Sequence, residues 1–384
     1  MSVLDNFKKK KYYDSTEIRK HNADYYMLLG GRSIGKSHEV KLKCLEEVWD
    51  DVKNNKEINH RFIILRRWSE DTKVTNLKSY WNDFVTVDKT HPKPIIETLT
   101  KGKYNNIHIR SNEIFLAKVD SKKGTVGVGP KIGYVMSLNL SERYKSGIYT
   151  DCTNLIYEEF ITDKLYLADE PDTLQDLVST IARNGKIKVW LIGNTISRLC
   201  PYFQTWCLSK IPKQKMGTID DYLHDIEPDE DGTPRHIKIS VEYCESNIGS
   251  EMAFGQRRGA ISGGIWQSSY KPKLPKIKEK YDIMHRILFK AYEFKFMGEL
   301  LCDKEDGSVF WYVYPKTTDN GITSTTRIIS DKYETSNYFT FSLTPLTEKE
   351  RIPINLLREG KIVYSDNLTG TEFENVLELY KRPH

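Results

Sequence analysis

The stretch LLGGRSIGKSHEV, residues 28–40, constrains the fold more than any other part of the chain. Gly30, four intervening residues and Gly35-Lys36-Ser37 satisfy G-x-x-x-x-G-K-[ST], a pattern that works only where a strand turns into a helix. The context fits. Tyr25-Tyr26-Met27-Leu28-Leu29 reads as a short buried strand, and the residues after Ser37 can open a helix. Gly30, Gly31 and Gly35 let the backbone curl until its N–H groups face phosphate oxygens, and the helix N-terminus adds a positive dipole end. Lys36 can reach the β- and γ-phosphates, and the Ser37 hydroxyl can ligate Mg²⁺. The expected cofactors are therefore ATP and Mg²⁺, held by Gly30, Gly31, Arg32, Ser33, Ile34, Gly35, Lys36, Ser37 and His38.

Four apolar, β-rich runs stand out in the first half: residues 25–29, RFIILR at 61–66, NLIYEE at 154–159 and KIKVWLIGN at 186–194. Helical patterns separate several of them, which implies a parallel sheet with helices on its faces. The fold class expected is α/β, a P-loop NTPase of the additional-strand (ASCE) type. YNNIHIRSNEIFLAKV (104–119) alternates at period two around Ser111-Asn112 and reads as an inserted hairpin; SKKGTVGVGPKIGY then reads as a Gly-rich turn region. With 384 residues the chain has room for two or three domains. Acidic DIEPDEDG, Gly-rich RRGAISGGIW and KPKLPKIKEK suggest a motor domain over 1–207, a linker subdomain over 208–275 and a smaller α+β domain over 276–384.

Composition narrows the classes further. At 39% hydrophobic and 29% charged residues this is ordinary globular protein. No apolar run approaches the roughly 18 residues that span a bilayer, so no membrane partner is expected. The N-terminus has no apolar core of a secretory signal; its Lys8–Lys11 run reads as a solvated tail or a nucleic-acid contact. Six cysteines lie scattered without a CxxC pair, which argues against zinc and a disulfide framework and suits a reducing cytoplasm. A net charge of +5 permits a polyanionic partner without requiring one.

NLIYEEF, Asn154 to Phe160, separates the possible P-loop chemistries. An apolar strand ending in two carboxylates puts Glu158 near Mg²⁺, through a coordinating water, and Glu159 where it can orient and deprotonate an attacking water. A carboxylate aimed at water argues for hydrolysis over transfer to an acceptor. Asn194, ending a buried strand, could sense the γ-phosphate. Arg183, in the turn before that strand, reads by position alone as a surface arginine. In a ring it could reach a neighbour's γ-phosphate and stabilise transition-state charge.

The order GGRSIGKS, FIILRRW, NLIYEEF, ARN and GNTISRLCPYF resembles the DNA-packaging ATPases of phi29-like tailed bacteriophages, over residues 25–205. The resemblance implies a homopentameric ring on the portal of an empty procapsid, driving double-stranded DNA inward by ATP hydrolysis in the host cytoplasm, with an RNA or protein adaptor as a further possible partner. Carried over by position, Lys36 and Ser37 bind phosphate and Mg²⁺, Glu159 is the catalytic base and Arg183 the arginine finger acting in trans. Lys145, fourteen residues before Glu159, matches a basic loop facing the DNA channel, and Lys164 another trans-acting position. The family usually has Asp where Glu158 stands, so the longer side chain should sit differently about Mg²⁺. A duplex motor should contact phosphates and not base edges; Lys122, Lys123, Lys131, Arg143 and Lys145 supply point charges of that kind.

The resemblance also implies a C-terminal RNase H-like domain that no longer cleaves. FKFMGELLCDKEDGSVFWYVYP could be its opening strands, with Asp303 near a catalytic position and Asp331, Asp366 and Glu374 as possible partners. An active nuclease would need several such carboxylates on two metals. The competing readings are a large-terminase motor with a working nuclease, a helicase-like enzyme, and a nucleotide-dependent scaffold that binds nucleic acid without moving it.

Overall fold

The computed structural model describes residues 12–87, 92–162, 166–183, 186–228, 232–245, 266, 271–274, 279–291, 294–318, 320–323, 326–335 and 339–381. The chain divides into two compact units, one of Met1–Ile196 with Cys200–Ile265 and one of Ser197–Leu199 with Trp266–His384.

The first unit is built on one nine-stranded sheet in the order β3-β4-β5-β2-β6-β7-β1-β9-β8. Its strands are β1 (Tyr25–Gly30), β2 (Arg61–Arg66), β3 (Asn106–Arg110), β4 (Glu113–Asp120), β5 (Gly124–Ser137), β6 (Cys152–Glu158), β7 (Lys188–Asn194), β8 (Ile219–Ile226) and β9 (Arg235–Tyr243). β5, β2, β6, β7, β1 and β9 run parallel; β3–β4, β4–β5 and β8–β9 pair antiparallel at the two edges. Strand β7 thus lies between the loop strand β1 and the carboxylate strand β6.

Both faces of the middle strands are covered, which is why these runs read as continuous apolar sequence. Every residue of β1 is buried. Tyr26, Leu28, Phe62, Ile64, Ile156 and Trp190 pack with Val40, Leu45 and Val48 of the helix Lys36–Lys53. The alternate residue Tyr157 faces the other way and donates its hydroxyl to Glu170, in the first turn of the helix Glu170–Ala182. Gly133 permits the close approach of β5 to β2, since a Cβ there would meet the Phe62 carbonyl oxygen at 2.4 Å.

Two expectations need correcting. The strands β8 and β9 are not part of a separate linker: β9 pairs parallel with β1, so the two complete the first sheet. Ile237, Ile239, Val241 and Tyr243 alternate with polar residues, the pattern of a strand. The Gly-rich segment after the 104–119 hairpin is likewise a fourteen-residue strand, β5, which pairs with β4 from Gly124 to Tyr134 and with β2 from Gly133 to Ser137. Ser111 provides the predicted hairpin turn at φ +54°.

The second unit holds a six-stranded sheet ordered β14-β13-β10-β11-β12-β15. The strands are β10 (Tyr281–Ala291), β11 (Phe294–Asp303), β12 (Val309–Pro315), β13 (Arg327–Ser330), β14 (Phe339–Thr340) and β15 (Ile362–Tyr364). β10, β11 and β12 form an antiparallel meander, β13 runs parallel to β10, and β14 parallel to β13. The helices Arg351–Arg358 and Asn367–Lys381 cover one face, where Ile287, Phe289, Trp311, Ile354, Leu357 and Phe373 form the core. Among the described residues no helix is long and apolar enough to cross a membrane.

Candidate active site

The loop after β1 places its parts at the carboxyl ends of the parallel strands, where open α/β sheets bind ligands. Gly35 takes φ +98°, a conformation glycine reaches without a Cβ penalty, and starts the helix Lys36–Lys53. Ile34 is buried in the core and anchors the loop, while Arg32 and Ser33 are exposed at its tip. Lys36 is buried and turned back onto the loop: its Nζ donates to the carbonyls of Gly31 at 2.7 Å and Gly30 at 3.2 Å, and reaches Asn194 Oδ1 at 3.5 Å. Burial pushes its pKa down to about 8, against the opposing pull of Cys244 and Glu158. A buried ammonium held only by neutral oxygens is ready to exchange them for an anion.

Glu158 ends β6 and is buried. Its Oε2 accepts from Ser37 Oγ at 2.8 Å and its Oε1 from the Tyr80 hydroxyl at 2.7 Å. The longer side chain expected to disturb this site therefore still meets Ser37. The hydroxyl and carboxylate are hard oxygen donors and suit Mg²⁺, which takes one or two carboxylates together with substrate phosphates. Among the described residues no three His, Cys, Asp or Glu side chains form a metal-holding group.

Glu159 follows in the left-handed region at φ +56°, with its carboxylate exposed and 3.0 Å from Arg66 Nη2. The next arginine, Arg67, turns inward. It meets Glu170 through Nε at 2.8 Å and Nη2 at 3.0 Å, and donates to the carbonyls of Glu159 and Phe160. Burial works against its charge, but Tyr157, Glu170 and Tyr166 more than restore it, and the pKa lies above the ordinary arginine value. Glu170 also accepts from Tyr157, Tyr202 and the Leu167 N–H. This buried network fixes the backbone that carries Glu159.

The structure thus gathers Lys36, Ser37, Glu158 and Asn194, with Glu159 following Glu158 in the chain. His38 does not face the loop: its ring pairs with Asp83 at 2.8 Å and stacks on Phe84, because helical geometry turns it to the side. Arg183 lies elsewhere, at φ +41° after its helix, and its Nη2 donates to the carbonyls of Gly147 at 3.0 Å and Lys145 at 3.2 Å. Lys145 and Arg143 are exposed on that basic loop, and Lys122 and Lys123 sit in the β4–β5 turn. Lys164 and the Lys8–Lys11 run lie outside the described residues.

Sequence reasoning missed two site residues. Arg66 carried a signal, a paired arginine closing a buried strand. Tyr80 carried none, lying 78 positions from the carboxylate it touches.

Fold and site define a mixed α/β protein whose glycine-rich loop brings a lysine, a serine and a carboxylate together at the ends of a parallel sheet. Among known proteins the chain is similar to the DNA packaging protein of Bacillus phage phi29, 22% identical over 278 residues that cover 68% of this chain and 74% of that protein. The DNA packaging protein of Bacillus phage PZA is 24% identical over the same share of each chain. The solved bacteriophage Phi-29 viral genome packaging motor assembly shares the fold at a TM-score of 0.50, with 13% identity over 97% of this chain and 100% of that one. No family model matches. The resemblance read from the sequence, to the packaging proteins of phi29-like phages, holds.

Proposed function

We propose that the chain is an ATPase that drives double-stranded DNA into a phage procapsid, acting as a homomeric, five-membered ring at the portal in the host cytoplasm. One observation carries the reading: Ser37 and Glu158 in contact, beside a buried Lys36 whose hydrogen-bond partners among the described residues are two carbonyls and Asn194, in a chain similar to DNA packaging proteins. The position of β7 between β1 and β6 supports an additional-strand P-loop fold.

Lys36 would exchange its carbonyl partners for phosphate oxygens, with the loop N–H groups and helix N-terminus around them. Ser37 and Glu158 would hold Mg²⁺, which when bound neutralises developing phosphate charge. Glu159, freed from Arg66, orients a water and accepts its proton as the water oxygen bonds to the γ-phosphorus and the bond to the β-bridging oxygen breaks. Arg183 acts in trans on the neighbouring subunit's nucleotide, with Lys164 assigned to the same task. Lys145, Arg143, Lys122 and Lys123 contact duplex phosphates, and an adaptor joins ring to portal.

The second unit is read as an RNase H-like domain without cleavage. The strand order β12-β11-β10-β13-β14, a meander with a parallel strand added beside its first member, supports the fold. Asp303 accepts from the Glu305 N–H and pairs with Lys280 at 3.3 Å. Asp366 accepts from Thr369, and Glu374 from Lys271 and Tyr364. Each carboxylate is engaged locally.

The test is steady-state ATP hydrolysis with and without long duplex DNA, for the unmodified chain, Glu159→Gln, Arg183→Ala and a mixture of the two variants. DNA stimulation, two inactive variants and partial recovery on mixing are expected. Normal hydrolysis by Arg183→Ala removes the trans finger, and hydrolysis indifferent to DNA favours the scaffold. Plasmid cleavage with Mn²⁺ would restore the large-terminase reading.

A further inference from the structure

On the nucleotide-site reading, Glu158 must hold its carboxylate toward a cation. A glutamate has one more rotatable bond than an aspartate, so pointing its carboxylate at a cation costs more side-chain entropy. Ser37 alone engages only one of its two oxygens. The other is taken by Tyr80, the last residue of the helix Val74–Tyr80, whose hydroxyl donates to Oε1 at 2.7 Å.

The tyrosine is itself clamped. Lys41 Nζ stands 4.2 Å from the centre of its ring, donates to the Tyr80 carbonyl at 2.7 Å, and bonds Asp83 at 3.0 Å. Trp81 meets the ring edge-on at 5.8 Å. Lys41 lies four residues after Ser37 on the same helix, so one helical face presents both the serine and the clamp.

We propose that Tyr80 is a positioning residue for the Mg²⁺ carboxylate, fastening the outer oxygen of Glu158 so that the inner one stays on Ser37. The tyrosine is thereby matched to glutamate at this position: an aspartate, one methylene shorter, cannot reach Tyr80 and Ser37 at once. Position 80 is where the chain accommodates Glu158.

The experiment is equilibrium binding of a fluorescent ADP analogue to the full-length chain, titrated with Mg²⁺ from an EDTA baseline. It compares the unmodified chain, Tyr80→Phe, Glu158→Asp and the double variant. Phenylalanine keeps the ring against Lys41 and Trp81 and removes only the donor. Tyr80→Phe should raise the Mg²⁺ concentration for half-maximal binding about tenfold and leave affinity in EDTA unchanged. In the Glu158→Asp background it should add less than about twofold, because the bond it removes is already gone. Unfolding followed in EDTA checks that the variants are folded; should Tyr80→Phe be destabilised, the comparison between backgrounds still decides. An unchanged Mg²⁺ requirement, or the same shift in both backgrounds, overturns the role of Tyr80 while the nucleotide site stands. Nucleotide binding by the unmodified chain that is absent, or indifferent to Mg²⁺, overturns the site and this role with it.

Discussion

The two units use their charged side chains in opposite ways. In the first, Lys36 and Ser37 open the helix after β1 and Glu158 ends β6, one strand away across β7; they meet at the same edge of the sheet, and Lys36 is left with neutral partners that an anion can replace. In the second, Asp303 ends β11, while Asp366 precedes and Glu374 lies within the helix Asn367–Lys381, each bonded to a near neighbour in the fold. A parallel sheet delivers convergent strand ends automatically, since all its loops leave from one edge. An antiparallel meander sends successive ends to opposite edges and must gather a site by other means.

Loss of turnover tests that contrast most sharply. Glu159→Gln should lower ATP turnover by about 10³-fold, within the usual range for a general base, and Asp303→Ala should leave it within about twofold. Steady-state phosphate release with duplex DNA present measures both. Equal losses would show that the second unit takes part in the chemistry.

The buried arginines offer a second comparison. Glu170 takes two bonds from Arg67 and further ones from Tyr157, Tyr202 and the Leu167 N–H. Arg327 is fully buried but meets Glu350 through a single nitrogen at 3.1 Å, and its Nε has no partner among the described residues. Burial accordingly lowers the Arg327 pKa, whereas Arg67 lies above the ordinary value. Glu170→Gln should therefore cost about 4 kcal/mol and Glu350→Gln about 2 kcal/mol by denaturant unfolding. The reverse order would mean that the one-nitrogen contact between Arg327 and Glu350 matters more than the two-nitrogen contact between Arg67 and Glu170.

Each unit also contains a glutamate whose carboxyl is pushed up to about 7 by burial: Glu242, which accepts from the Tyr13 hydroxyl, and Glu372, 3.7 Å from Arg198. Both hold a proton more tightly folded than unfolded, where the value is near 4.5. Their contribution to stability is full below about pH 4.5 and is lost as the pH rises through about 7. Replacement by glutamine removes that loss. Glu242→Gln should gain about 2 kcal/mol near pH 8 relative to near pH 5. Glu372→Gln should gain less, because Arg198 loses its partner. Unfolding at the two pH values checks the order.

What the sequence disclosed follows the same division. The loop and the strand ending in Glu158-Glu159 were legible because their parts are contiguous and their strands, buried on both faces, are unbroken apolar runs. β10 went unrecognised, though it is central to the second sheet, because Asp282, His285 and Arg286 interrupt its apolar residues. β9 was hidden by the acidic and glycine-rich stretches around it, and β5 by its own glycines. Tyr80 could not be found at all, since no local pattern records a contact across 78 positions.

The last and mildest effect tests the proposed contact with duplex DNA. Lys145 and Glu142 are exposed and paired at 2.6 Å, three residues apart. Such a pair is worth little in water, so a duplex phosphate can replace the carboxylate. The loop backbone beneath is held by Arg183 through the carbonyls of Lys145 and Gly147, which leaves the ammonium free to turn while its base stays fixed. Lys145→Ala should reduce the slope of log affinity against log salt by about 0.9, one phosphate contact, with no change in sequence preference. Glu142→Gln, which removes the competitor, should strengthen binding about twofold at low salt and less as screening rises. Lys304, paired with Asp282 in the second unit, is the control: Lys304→Ala should leave the slope unchanged. An equal fall for Lys304→Ala would extend the nucleic-acid surface to the second unit. A slope indifferent to Lys145 would move the contact off this loop and remove the link between Arg183 and the DNA.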